Sequence, residues 1–267
     1  LRDIRELLDS GNLTDLGPTA HALVADRIQE AEEALDSDTR LAEALEGSAN
    51  VVIPSVFALG EPLGPPDQPL PDFALRNSLA VDGGFGVPAT RSQQPLRALG
   101  EAAAAVAHLN QIQDDDGTVR REPLFVQFDG HAVPSMALSV AARSLNLGLA
   151  DMRLQPGAGV QLGKLFIPTD GQLAVLPQFY PSLGGRPAFA EDSFYDVLSG
   201  RIPAAKYADK IVIIGATAAG VGTLFTTPVS AAMSPAAILA HITSSLLSNH
   251  HIVQPLWGGY AVFAALL

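Results

Sequence analysis

A chain of 267 residues, 48% hydrophobic and 16% charged, is long enough to bury a sizeable core and too apolar to be disordered. Its net charge of −12 is concentrated at the front, where residues 1–50 set twelve acidic side chains against four arginines. Such a surface repels DNA, RNA and anionic lipid heads, so nucleic acid is excluded as a partner. The absence of cysteine removes disulfide scaffolds, thiolate zinc sites and a cysteine nucleophile, and it suits either redox compartment.

Residues 19–35 place Val24, Ile28, Ala31 and Leu35 at helical spacing, with Glu30, Glu32 and Glu33 mostly on other faces, which predicts an amphipathic helix. Asp38 is positioned to cap a second short helix carrying Leu41, Ala42 and Leu45. Residues 50–57, NVVIPSVF, read as a buried strand. From 59 to 94 the prolines at 62, 65, 66, 69 and 71, followed by Gly83, Gly84 and Gly86, read as one long loop of a functional or mobile kind.

A helix is expected over 95–105, then two paired strands, 106–112 and 118–128, around the turn QDDDG. Pro134 and Ser135 open another helix, which Gly148 is placed to close. Short strands follow near 160–167 and 172–176, then a capped helix in EDSFYDVLSG ended by Gly200, and a strand at 211–214 after Lys210. Ser234 and Pro235 begin a last helix with Ile238, Ile242 and Leu246 along one face. The alternation is irregular and shows no internal repeat. It points to an α/β or mixed α+β fold, a mixed sheet covered by helices, in a single domain with long loops.

The end of the chain, LWGGYAVFAALL at 256–267, is uncharged, with Trp257 and Tyr260 where aromatic anchors sit at a membrane interface. Twelve residues fall short of the roughly 20 a helical span takes. A buried C-terminal helix and the start of a longer membrane helix are both open. No charged-then-apolar leader opens the sequence.

The stretch IVIIGATAAGVG, 211–222, has the look of a phosphate-binding loop and fails its tests. The glycines at 215, 220 and 222 have the wrong spacing for a dinucleotide fingerprint, and no Asp or Glu follows Ile211 to hold a ribose. Gly215 and Gly220 have the P-loop interval, but Val221 replaces the required lysine. Gly215 reads instead as a sharp exit from a strand, where a side chain would clash. The cluster DDDG fails as an EF-hand, since Ile112 and Pro123 fall where carboxylates are needed. A tight turn, a ligand or ion contact, or a catalytic role for Asp114 and Asp116 stay open there.

None of the six histidines has metal-ligand spacing, His241 reads as a core histidine, and no serine has the nucleophile-elbow setting. The expectation is no catalytic residue, no metal site and no cofactor.

Several motifs, taken in order, carry a resemblance. His108 and Asn110 form H-x-N; Asp114, Asp116, Gly117, Arg120, Arg121, Pro123 and Leu124 form D-x-D-G-x-x-R-R-x-P-L. Pro134, Ser135, Ala137 and Leu138 give P-S-x-A-L; Ile167 to Asp170 give I-P-T-D; Lys210 to Gly220 give K-I-V-I-I-G-A-T-A-x-G; Thr227 and Pro228 give T-P. The ordered set, across roughly 38–250, resembles the CHASE2 family of extracytoplasmic sensory domains of bacterial transmembrane receptors. Two features depart from the family: Leu239 stands where many members have a glutamate, and the usual N-terminal apolar strand is weakened or displaced. The LAH variant at 239–241 and the N-terminus are most similar to CHASE2 domains attached to Ser/Thr protein kinases.

The resemblance implies a sensor domain over 1–255 outside the inner membrane, with 256–267 as the start of a following membrane helix. It implies a homodimer whose spans relay ligand binding to a cytoplasmic kinase or, less directly, a cyclase. The ligand is an unknown small molecule or ion. Asp114, Asp116 and Arg120 combine acceptors with a donor fork, and Thr217 and Thr226 flank the glycine turn, so these five are the candidate ligand-binding residues. An extracytoplasmic metal-dependent hydrolase using Asp114 and Asp116, or a non-catalytic interaction scaffold, are the competing readings.

Overall fold

The computed structural model describes residues 18–217, 221–253 and 263–266. The fold is mixed α+β, and the chain divides into two compact units. The smaller one takes residues up to 51 and 96–104. It holds helices α1 (Pro18–Leu35), α2 (Ser37–Ser48) and later in the chain Arg97–Ala102, which packs against α2. Ile28 and Leu45 are buried, while Leu23, Leu35 and Leu41 stay exposed, so the apolar stripe of α1 is used at one turn only. The cap of α2 is Asp36 rather than Asp38, its side chain accepting from Thr39 N at 3.1 Å. Asp38 falls inside the first turn, where its charge still meets the helix dipole favourably.

The larger unit spans 52–95 and 105–267. Its six-stranded sheet is built from β1 (Val52–Leu59), β2 (Leu79–Ala80), β3 (Val87–Gln93), β4 (Ala105–His108), β7 (Phe125–Phe128) and β8 (His131–Pro134), in the order β2-β8-β7-β3-β1-β4. The pairs β1–β4 and β3–β7 are parallel and the others antiparallel. A second sheet, in the order β15-β12-β6-β5, contains β5 (Ile112–Gln113), β6 (Val119–Pro123), β12 (Ala174–Pro177) and β15 (His251–Ile252). Strands β9 (Met152–Gln155), β10 (Gly159–Leu162) and β11 (Leu165–Pro168) make a meander, and β13 (Phe225–Thr227) pairs with β14 (Ser230–Met233).

Neighbouring residues of a strand face opposite ways, and the six-stranded sheet uses both faces. Phe125 and Ala132 enter the main core with Leu138, Ile238, Ile242 and Leu246, the last four from helices Met136–Ser144 and Pro235–Leu247, which pack on each other. Val126, Phe128 and Val133 face the other way onto Phe57 and Phe73, with the Phe57 and Phe128 rings 5.6 Å apart. Each fully buried Leu, Ile or Phe contributes about 2–3 kcal/mol of transfer free energy.

Further expectations are corrected. The stretch 59–94 is not one loop: helix Asp72–Leu75 and strands β2 and β3 lie within it, and β3 sits between β1 and β7. Pro88 and the polar run Thr90–Gln93 hide that strand, whose only fully buried residue is Ala89. Strand β1 is half-buried, with Ser55 and Phe57 inward and Val56 outward. The expected partner of 118–128 splits, since β4 pairs in parallel with β1 while only β5 forms the hairpin with β6. Helix Met136–Ser144 ends at Leu145, with Asn146 at φ +56, so Asn146 rather than Gly148 supplies the left-handed residue.

Residues 211–214 are not a strand. No backbone group of 211–217 bonds to the described residues, and Ile211, Val212 and Ile214 are exposed, with only Ile213 turned to the core. Gly215 is therefore no strand exit, but the clash expected of a side chain there is present: a Cβ would lie 2.7 Å from Ala236 Cβ, at the start of the last helix. Local propensity favours a strand here, but a strand also needs a neighbour, and none of the described elements supplies one.

No helix among the described residues is long and apolar enough to cross a membrane. Of the segment 256–267, only 263–266 falls within the described residues, and Phe263 and Leu266 are exposed.

Candidate functional site

The β5–β6 hairpin turns at Asp114–Gly117. Gly117, at φ +76, donates its N–H to Asp114 O at 2.8 Å, and Asp114 N donates to Thr118 O at 3.0 Å. Asp116 Oδ1 accepts from Thr118 N at 3.0 Å, the local side-chain bond for which Asp is favoured in turns. The pairing shifts register between Ile112 and Gln113.

Two consecutive arginines leave β6 for different partners. Arg120 forks onto Asp116, Nη1 to Oδ1 at 2.9 Å and Nη2 to Oδ2 at 2.7 Å, and its Nη1 also reaches Asp114 Oδ2 at 2.9 Å. Arg121 Nη1 donates to Asp170 Oδ2 at 3.2 Å, and its Nε lies 3.6 Å from Asp114 Oδ1, beyond hydrogen-bond length. Asp170 belongs to the loop before β12. Its Oδ1 accepts from Gln172 N and Ala174 N, both at 2.9 Å, which fixes the loop and leaves Oδ2 for Arg121. Asp114 is therefore shared by both arginines, and Arg121 ties the hairpin to a loop 49 residues away.

The Arg120 fork holds the Asp116 carboxyl well below the usual carboxylate range, with the Thr118 N–H adding to it. The same bonds, to Asp116 first and Asp114 second, push the Arg120 guanidinium further up. These charges are permanent at any physiological pH. Beside them lies a cleft of about 480 Å³, lined by Asp114, Asp115, Asp116, Arg121, Asp170 and Gln172 among others. Four carboxylates against one guanidinium give it an attraction for cationic or strongly hydrogen-bonding polar groups. Among the described residues no group of three or more His, Asp or Glu could hold a metal ion.

Upstream of the hairpin, Asn110 fastens the six-stranded sheet. Its Oδ1 accepts from Phe57 N at 2.9 Å and its Nδ2 donates to Phe57 O at 2.7 Å, so one side chain continues the β1 ladder where β4 has ended. His108 Nδ1 accepts from Asn110 N at 3.3 Å. Thus H-x-N closes one sheet and D-x-D-G-x-x-R-R shapes the edge of the next. A family model for the CHASE2 domain matches residues 9–267.

The chain belongs to the CHASE2 family.

CHASE2 is an extracellular sensory domain family, which is consistent with a sensing role for this chain outside the cytoplasm. No curated protein and no solved structure matches it. In this CHASE2 domain three of the five candidate residues, Asp114, Asp116 and Arg120, meet in one ion-pair network. Thr226 lies close in the fold, its backbone bridged to Thr118, with Oγ1 donating to Ala231 O at 3.2 Å. Thr217 is exposed on the irregular run 211–217 and does not line the cleft.

Arg121, Asp115, Asp170 and Gln172 were not singled out as ligand residues. Arg121 and Asp170 stand in the quoted motifs, yet no local spacing relates them. His241 is the core histidine expected: 4% exposed, its Nδ1 accepting from Tyr180 N at 3.1 Å and its ring stacked on Tyr180 at 5.9 Å.

Proposed function

We propose that this CHASE2 domain is the extracytoplasmic ligand-sensing part of a bacterial membrane signalling receptor, and that the cleft beside Arg121 receives the ligand. The observation that carries the ligand site is the sharing of Asp114 by Arg120 and Arg121, which sets donors and acceptors in fixed geometry beside open space. Of the five candidate residues, Asp114 and Asp116 are the proposed contacts, with Arg121 and Asp170 added by the geometry, while Arg120 holds the two carboxylates in place and Thr226 and Thr217 stand outside the lining. The acidic lining favours a small cationic or neutral polar molecule over an anion.

In this reading flanking spans hold the domain at the inner membrane, and two copies act together as a homodimer. They relay ligand occupancy to a cytoplasmic module, a Ser/Thr protein kinase in preference to a nucleotide cyclase. A relay needs a ligand that binds two arrangements of the receptor with different affinity, not merely a tight one.

The site is tested by thermal shift of the 267-residue chain against small amines, amino acids and neutral sugars. A true ligand raises Tm of the wild-type chain and loses that effect in Asp114→Asn and Arg121→Gln. Compounds that stabilise both variants as well as the wild type would place binding elsewhere. The relay is tested in the full-length receptor in vesicles, where a hit must change phosphorylation or cyclase output; constant output at saturation removes it.

A further inference from the structure

One residue past Arg121, strand β6 turns a carboxylate into the protein. Glu122 is 3% exposed, sits opposite Val175 of β12 and bonds to the Ser135 side chain. Ser135 is fully buried, caps helix Met136–Ser144 by accepting from Leu138 N at 3.2 Å, and is bridged to His108 at the end of β4. His108 is fully buried too and pairs with Ser55 of β1, itself 2% exposed. Partners in a ladder share a face, which lines up Ser55, His108 and Ser135, and the Ser135 side chain carries the row on to Glu122, Ser55–His108–Ser135–Glu122.

Three atoms of that row are buried and without a partner among the described residues: Ser55 Oγ, His108 Nε2 and Glu122 Oε2. Because His108 Nδ1 accepts from Asn110 N, its ring proton is on Nε2, a buried donor near the Pro123 carbonyl but short of hydrogen-bond geometry with it. The imidazole N–H, the hydroxyl and the carboxyl oxygen, spread along the row at strand spacing, offer donors and acceptors inside the protein. Buried polar groups are almost always satisfied, and two to four such partners are what an internal water molecule requires.

We propose that this row is a second, buried site of the domain, which holds internal water against Ser55, His108 and Glu122 and carries a proton on the Glu122 carboxyl.

The electrostatic surroundings agree. Burial pushes the Glu122 carboxyl up to about 8, with only the Ser135 bond opposing it, and burial pushes His108 down to about 3, with the Pro123 carbonyl opposing. Charged groups on neighbouring elements face elsewhere. Arg120 and Arg121 turn to Asp114, Asp116 and Asp170 at the surface, and Arg143 lies in the last turn of the helix that Ser135 caps. Strands β1, β12 and β13 carry no titratable side chain. The carboxyl is thus left to a neutral row, and a neutral acid can donate where a carboxylate could only accept. Adjacent residues of β6 serve the two sites, Arg121 the cleft and Glu122 the row. The row stands on its own residues, so failure of the ligand reading leaves it intact.

The test is a carbon-13 NMR titration of the wild-type 267-residue chain with labelled glutamate side chains. The expected result is one carboxyl whose midpoint lies above neutrality, near the value of about 8, and which is missing in Glu122→Gln. If no glutamate has its midpoint above neutrality, the proton site is overturned without recourse to a variant. Ser135→Ala, which removes the one opposing bond, moves the midpoint further up; an unmoved midpoint takes Ser135 out of the row. Water is read from cross-relaxation between a long-lived water signal and the His108 ring protons, and absence of that signal overturns the hydrated site.

Discussion

Arg120 grips Asp116 with both guanidinium arms, at 2.9 and 2.7 Å, across a turn that needs Gly117 in left-handed geometry. The fork is half out in solvent, where water and salt screen such pairs strongly. Arg120→Lys keeps the charge and loses the fork. The expected outcome is a small fall in Tm at low salt that shrinks further at high salt. A large, salt-independent loss would mean that the fork, rather than the turn, holds the hairpin.

Asn110 makes the opposite case, since both of its bonds to Phe57 are buried. Asn110→Ala leaves one N–H and one C=O of β1 unpaired, at about 1–3 kcal/mol for each group. Urea unfolding should show a loss of about 3 kcal/mol, with the m-value unchanged. A loss within error would mean that water replaces the amide at no cost.

Gly215 approaches the last helix so closely that a Cβ would lie 2.7 Å from Ala236 Cβ. Gly215→Ala should cost about 1–3 kcal/mol through overpacking, read from the denaturation midpoint. Because the obstacle is one methyl group, Ala236→Gly in the same chain should restore most of the loss. No rescue by that second change would assign the cost to the backbone of 215 instead.

Stability should have a maximum in pH with a decline on either side. Glu122, raised to about 8, holds a proton in the folded state that the unfolded chain sheds above its ordinary value of 4.5. Stability therefore falls as pH rises from about 4.5 to 8. His108, lowered to about 3 from 6.5, is neutral when folded and protonated when unfolded between those values, so stability rises with pH over that span. The two slopes, each about 1.4 kcal/mol per pH unit, oppose each other between about 4.5 and 6.5, where His241 and His251, both lowered by burial, add to the rise. Above pH 6.5 only the Glu122 slope remains, and Glu122→Gln should flatten it in urea melts at pH 6, 7 and 8. A wild-type curve that stays level from pH 6.5 to 8 would contradict the buried acid.

The sequence made some of this legible and hid the rest for definite reasons. Turn chemistry is local, so DDDG, the Ser135 and Ser234 caps and Gly200 could be read where they stand. The helices of the core showed their period, as with Ile238, Ile242 and Leu246. What escaped depends on partners distant in the chain. Strand β3 looks like loop because its neighbours β1 and β7 supply the order that Pro88 and Gln93 do not suggest. The link from Arg121 to Asp170 spans 49 residues, and Glu122 sits among surface charges in sequence while its side chain is inside. The run 211–214 failed in the reverse sense, since its β-branched residues promise a strand that pairing does not deliver.

That unpaired run bears on how the isolated chain behaves at high concentration. Val212 and Ile214 offer apolar side chains to solvent, and among the described residues nothing pairs with the backbone beside them, which can meet an extended segment of another chain. The net charge of −12 opposes contact between chains through this run, a repulsion that salt shortens to about 8 Å at physiological strength. Adding salt should therefore speed assembly rather than merely weaken ion pairs. Light scattering of the chain will rise with ionic strength, and Val212→Lys, which sets a charge on the open edge, will hold it down.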